Sequence, residues 1–402
     1  MSETAEPNVG AFTLGASPAI ETVARADIPE HEEWPLPNGF AWVFPGEGNN
    51  GGIRRPVIMA DGFNLGRSEL DKLYQGLEGG DFPFVSELRR RGRDVILLGF
   101  EERSASILDN AEAAMAAIMR TIAEQVGDTR LVVGGFSMGG IVTRYALAKF
   151  ERQRMDHRTG LYFSYDSPHR GASIPVGVQA FSYFIPFPND FARQMNSPAA
   201  RQMLWRHYDK DTGKIGVAPE RTEFLAALER LGGWPQIPLK IAVANGRADG
   251  IGLPDVKPGE VALRVDGIYP GTTFYTQAQG DDVTAAYLNR RFPKADKTIT
   301  TSGFPEIDGA PGGTLHTYQI LADTLRKLGG TVDLRHEEIC FVPSVSAVAV
   351  RDIETQSDLY VSIEGLPPEE SELDDFLCST TTTPHTGITR ELCTWLMDRL
   401  PD

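Results

Sequence analysis

The sequence predicts an α/β fold: a mostly parallel central sheet with helices on both faces, a cap insertion and an additional antiparallel ribbon. Three observations lead there. Short apolar runs alternate along the chain with stretches of helical periodicity, which is the pattern of strands joined by crossover helices. One such run, Leu131 to Phe136, passes through Gly135-Phe136-Ser137-Met138-Gly139 straight into a helical pattern. A chain of 402 residues, 41% of them hydrophobic and including 20 Phe, 11 Tyr and 5 Trp, can fill one large domain with insertions or two ordinary ones.

Residues 1–35 carry Glu3, Glu6, Glu21 and Glu32 without a basic start or an unbroken apolar core. They read as an extended arm rather than a secretory signal or a transmembrane segment. The core then occupies 36–172 and 235–402. Residues 39–44 are an early strand, and 56–60 a central one, apolar on both faces. Helices at 69–77 and 85–90 lead to a strand at 94–98. The helix at 106–125 repeats Ile107, Ala111, Ala114, Ile118 and Ile122 at three- and four-residue spacing. Strand 131–136, helix 138–152 and strand 161–165 follow, and another strand spans 239–245.

Two stretches break this alternation. Residues 173–234, rich in Phe, Tyr, Met and Trp and closing in a helix near 223–231, read as a cap over the site. Residues 260–310 hold strands 261–265, 272–276 and 298–300 around Gly/Pro turns, an antiparallel ribbon inserted in the core. A helix at 317–328 and a strand at 339–343 come next. The acidic run 369–375 reads as a solvated loop, and a last helix at 388–400 buries Ile388, Leu392, Trp395 and Leu396.

Composition narrows the chemistry. With 55 acidic and 39 basic residues the formal charge is −16, which argues against nucleic acid or a strongly anionic membrane as partner. The three cysteines, Cys340, Cys378 and Cys393, lack C-x-x-C spacing, so no thiolate zinc cluster is expected. Their odd number favours a reducing, cytoplasmic setting. Neither a metal nor a cofactor is indicated, and the oligomeric state is left open.

Gly135-Phe136-Ser137-Met138-Gly139 is a nucleophile elbow. The turn from strand to helix lifts the serine hydroxyl clear of the backbone, and the glycines two residues to either side make room for it. Serine is a poor nucleophile until a base takes its proton and an acid fixes that base's tautomer. The expected chain order is Ser, then Asp or Glu, then His, each at a strand end. Of seven histidines, His31, His157, His207, His316 and His336 lie in the arm, in polar connections, in the cap or at element starts. His169 ends a strand but follows Ser137 too soon. His385, in the loop before the last helix, is the base. For the acid, Asp249 stands just past strand 239–245. Asp166 competes from the end of strand 161–165, with Asp352 and Asp375 further behind. The oxyanion donors are the N–H groups of Met138, directly after the nucleophile, and Phe63, in the turn after strand 56–60. Asp61 should aim its carboxylate away from that charge.

These residues resemble the α/β-hydrolase superfamily, specifically its lipase and esterase branch. The resemblance rests on Asp61-Gly62-Phe63, on Gly135 to Gly139 and on Asp166-Ser167-Pro168-His169-Arg170-Gly171. It runs from about residue 56 to 250 and again over 380–400, and the ribbon departs from it. Asp61-Gly62 stands where the family often has His-Gly. The resemblance implies cleavage of carboxylic esters through an acyl-enzyme, without cofactor and under a lid. It assigns Ser137, His385 and Asp249 as nucleophile, base and acid, and makes His169 structural. An apolar cap favours a medium or long acyl ester, a lipid-like ester or a bulky lactone. The same apparatus serves amide or thioester hydrolysis, acyl transfer or cyclisation, and an inert binding protein on this scaffold is a further alternative.

Overall fold

The order of buried runs along the chain becomes the order of layers in space. In the protein's structure, a computed structural model, residues 26–401 are described. Of the arm expected over 1–35, residues 1–25 lie outside them. The rest of that arm ends in a strand not foreseen from the sequence, β1 (Glu32–Leu36), which turns through Asn38 into β2 (Gly39–Phe44). The core continues through β3 (Pro56–Ala60), α1 (Leu70–Glu78), α2 (Phe84–Arg90), β4 (Asp94–Phe100), α3 (Ile107–Glu124), β5 (Leu131–Phe136), α4 (Met138–Arg152) and β6 (Thr159–Tyr165). Between β6 and the next core strand lie α5 (Val176–Phe184), α6 (Asp190–Met195), α7 (Pro198–Met203), the short pair β7 (His207–Tyr208) and β8 (Ile215–Gly216), and α8 (Pro219–Arg230). The core resumes with β9 (Leu239–Ala244).

Then come β10 (Val261–Asp266), β11 (Thr272–Tyr275), β12 (Val283–Arg290), β13 (Ala295–Thr301), β14 (Gly312–Leu315), α9 (Thr317–Lys327), β15 (Thr331–Leu334) and β16 (Ile339–Pro343). The chain closes with α10 (Ser344–Ala347), α11 (Gln356–Leu359), β17 (Asp375–Cys378) and α12 (Arg390–Met397).

The eight-stranded central sheet has the order β1-β2-β4-β3-β5-β6-β9-β17. β1 and β2 are antiparallel to their neighbours, and the other six strands run parallel. Because side chains alternate across a strand, each central strand feeds two cores. Ile58, Ile96 and Val133 face α3, α4 and the cap helices. Val57, Met59, Val95, Leu97, Val132, Ile241 and Val243 face α1, α2 and α12. This is the α/β arrangement expected, with both faces covered.

The inserted sheet is larger than the ribbon expected over 260–310. It has five antiparallel strands, β13-β12-β11-β10-β15, the last contributed from beyond α9. It shares a core with the cap: Phe181 of α5 packs edge-on against Tyr269 and Phe274, with ring centroids 5.1 and 5.7 Å apart. The strand at 339–343 does form, as β16, but pairs with β14 outside the central sheet. Asp375, which ended the run read as a loop, opens β17 instead. No helix among the described residues is long and apolar enough to cross a membrane.

Candidate active site

The register of the sheet sets two candidate site residues at neighbouring strand ends. Phe136 of β5 is paired with Tyr165 of β6, so Ser137 and Asp166 leave the ends of neighbouring parallel strands. Open α/β sheets gather their sites along this edge. Both residues have a left-handed backbone. Ser137 sits at φ 52°, ψ −122° and Asp166 at φ 48°, conformations that cost of order 1–3 kcal/mol each for residues with a Cβ. The surrounding hydrogen bonds hold them there: Ser137 N–H donates to Tyr165 O (2.9 Å) and Asp166 N–H to Val243 O (2.7 Å).

The elbow also needs Gly139. A Cβ there would lie 2.6 Å from the Asp61 carbonyl oxygen and closer still to that of Ala60. Only a glycine lets the first turn of α4 press against the turn after β3, where buried Phe63 lies. Met138 opens α4, so its N–H has no acceptor within the helix. The Asp61 carboxyl accepts from Gly62 N–H (2.7 Å) and lies 3.8 Å from Arg103. Burial raises its affinity for a proton above the usual carboxylate range, against the opposing pull of Arg103 and Ser68.

His385 arrives from the far end of the chain. Its Nδ1–H donates to Asp166 Oδ2 at 2.6 Å, with both side chains buried. The pair is held on all sides. Asp166 Oδ1 accepts from Asn245 N–H (3.0 Å), His385 N–H donates to Thr314 O (2.7 Å), and the Phe341 ring packs edge-on against the imidazole at 4.8 Å. A Cβ on Gly313 would overlap the Asp166 carboxylate, so β14 approaches the pair only by having glycine there. With Nδ1–H committed to a carboxylate, the neutral ring carries its lone pair on Nε2. That nitrogen is buried and has no hydrogen-bond partner among the described residues.

The expectation that Asp249 is the acid is corrected by this geometry. β9 ends at Ala244, and the chain turns away through Gly246 before Asp249 is reached. Asp249 pairs with Arg247 and accepts from Ile251 N–H (2.9 Å), closing its own surface turn. The strand-end place beside Asp166 is filled by Asn245. Asp352 accepts from Ile353 N–H and Asp375 from Arg399, so neither meets His385.

Other histidines have partners of their own. His169 Nε2 lies 2.9 Å from Ser164 Oγ and its Nδ1 lies 3.3 Å from Arg144. Since arginine can only donate, Nδ1 accepts and the ring is neutral. Burial and then the Arg144 charge hold its pKa well below the ordinary histidine value. His157 contacts Glu151, His207 the Met195 carbonyl, and His336 Glu260. What the sequence reading missed is the clasp around His385, in which Asn245 holds Thr383 and Gly387 on either side of it and Tyr165 also holds Gly387. Its one visible sign was a polar residue, Asn245, closing an apolar strand.

A strained serine between the fifth strand and its helix, in a sheet of this order, is the arrangement of the α/β-hydrolase fold. No protein-family model matches the chain, and no curated protein matches it. Among solved structures it is similar to the Bacillus licheniformis lipase BlEst2 in mature form, with 12% identity and a TM-score of 0.33 over 52% of this chain and 72% of the lipase. The propeptide form of that lipase gives 13% identity and 0.35 over 54% of this chain and 41% of the other. An esterase of Pyrobaculum calidifontis gives 12% and 0.34 over 54% of this chain and 66% of the esterase. The chain thus spans less than two thirds of the length of the last two structures. At such scores the likeness adds nothing to the sheet order, and neither substrate nor reaction is taken from it.

Proposed function

We propose that the protein is a serine hydrolase that cleaves carboxylic esters through an acyl-enzyme. The observation that carries this reading is the 2.6 Å His385–Asp166 pair at the strand end next to that of strained Ser137, with no hydrogen-bond partner for the imidazole Nε2 among the described residues. His385 Nε2 removes the Ser137 proton as the oxygen attacks the ester carbonyl. Asp166 keeps the ring in the required tautomer and stabilises the imidazolium that forms. The Met138 and Phe63 N–H groups receive the oxyanion. His385 then protonates the leaving alcohol, and a water molecule activated by the same nitrogen releases the acid.

The substrate is an ester with an apolar, medium-to-long acyl group or a bulky apolar body. Phe341 supports this, because its ring packs against the His385 imidazole. Part of the aromatic set in 173–234 serves packing instead. Phe181 is engaged with Tyr269 and Phe274, and Trp205 with Phe304 at 5.0 Å. The test is covalent labelling with a fluorophosphonate. Wild type should take one adduct and Ser137→Ala none, and an unlabelled wild type overturns the proposal.

A further inference from the structure

Asn245 follows the last residue of β9 and is fully buried. Its groups reach in two directions. The backbone N–H donates to Asp166 Oδ1 (3.0 Å). The side-chain Nδ2 donates to Thr383 Oγ1 (2.8 Å) and to Gly387 O (2.9 Å). Its backbone carbonyl oxygen accepts from Thr383 N–H (2.9 Å) and from the Thr383 hydroxyl (3.2 Å). Thr383 and Gly387 stand two residues before and two after His385. One side chain therefore grips the histidine loop on both flanks while its own backbone fixes the carboxylate that the histidine binds.

The orientation of the amide follows from its partners: Gly387 O can only accept, so the atom facing it must be the NH₂ group. An aspartate in this place would set a carboxylate oxygen against that carbonyl. It would also put a second acid beside Asp166. Tyr165 OH donates to the same Gly387 oxygen (2.8 Å), and Thr314 N–H donates to Thr383 O (3.2 Å), so each flank has a second tie, and Asn245 is the side chain that joins the two.

We propose that Asn245 is a positioning residue for the reaction. Its amide sets the reach of His385 toward Ser137, and it must be an amide because the loop offers acceptors where a carboxylate could not donate. This rests on the serine-hydrolase reading above. Positional errors of about 1 Å in a catalytic group cost on the order of 100-fold in rate. The loss should fall on turnover, since Asn245 is fully buried and tied to the loop rather than to any open surface.

The test uses the full chain with p-nitrophenyl butyrate as substrate, and compares wild type with Asn245→Leu and Asn245→Asp. Melting curves are recorded beside kcat and KM. Both variants should lose about 30- to 300-fold in kcat while KM stays within about twofold, and Tyr165→Phe should lose only a few-fold. Fluorophosphonate labelling of Ser137 should slow in parallel. If either substituted protein folds with kcat within threefold of wild type, or if the loss falls on KM, the positioning role is wrong. Loss of the fold in both assigns Asn245 to the fold alone and equally overturns it. A wild type that neither takes the label nor hydrolyses the ester sinks the serine-hydrolase reading itself, a result distinct from any of these.

Discussion

Replacing Asp166 by Asn keeps the shape of the side chain and reverses one hydrogen bond. In the wild type, Oδ1 accepts from Asn245 N–H at 3.0 Å and Oδ2 from His385 Nδ1–H at 2.6 Å. An amide has one acceptor and one donor end. The backbone N–H of Asn245 cannot change role, so the amide oxygen stays with it and the NH₂ group turns to His385. Nδ1 must then accept, and the ring proton moves to Nε2, where it blocks removal of the Ser137 proton. A wrong tautomer of this kind costs about 10⁴-fold in kcat, or roughly 5 kcal/mol of barrier. Stability should change much less. A hydrogen bond to a charged group contributes about 1.5–3 kcal/mol, and relief from burying the carboxylate partly offsets its loss. The assay is kcat on a p-nitrophenyl ester, with melting curves to show that the fold persists. Asp249→Asn is the control, because that residue closes a surface turn with Arg247, and its activity should stay within about twofold of wild type. Retention of activity within tenfold in Asp166→Asn, or collapse in Asp249→Asn, would refute the assignment of the acid.

Three further outcomes are expected. Gly139→Ala drives a methyl into the Ala60 and Asp61 carbonyls; overpacking of this kind costs about 1–3 kcal/mol, and ester turnover should drop with the displaced oxyanion turn, whereas wild-type rates and melting would remove the argument from close approach. Asp308 is buried, accepts only from Gln277 N–H (2.8 Å) among the described residues, and has its pKa pushed up to about 7 by burial. The folded state therefore holds this proton more tightly than the unfolded chain does, so its stability contribution is complete below about pH 4 and is lost as pH rises through 7; melting temperatures of wild type should fall across that window more than those of Asp308→Asn, and parallel curves would contradict this. On p-nitrophenyl esters graded by acyl length, medium chains should turn over faster than acetate, and an acetate-favouring profile would remove the apolar acyl site.

Much of this was legible in the chain. The elbow helix at 138–152 falls where periodicity put it, because a buried strand and a long apolar-faced helix leave a pattern that tertiary contacts do not override. His385 stands out by position, late in the chain and in a loop before the last helix, and the structure sets it against Asp166. That His385 pairs with Asp166 and not with Asp249 could not be read from the chain, for a reason of geometry. Asp166 and Asp249 both follow β-strands, and nothing in their spacing tells which one leaves the sheet facing the imidazole. That depends on where β9 stops, and Asn245 takes the strand-end place four residues before Asp249. The last core strand was hidden because Asp375 to Cys378 is short and follows an acidic run. β12 and β15 were missed for the opposite reason: their half-exposed, polar residues lack the apolar signature of a core strand. The clasp of Asn245, Thr383 and Gly387 joins residues more than a hundred positions apart, so only the fold reveals it.

The most direct measurement is the site and rate of fluorophosphonate attachment, mapped by peptide mass in wild type and in His385→Ala. A single adduct on Ser137 that forms at least a hundredfold more slowly without the imidazole is the result expected of an activated serine. Attachment elsewhere, or an equal rate in the two proteins, would contradict a hydroxyl served by His385.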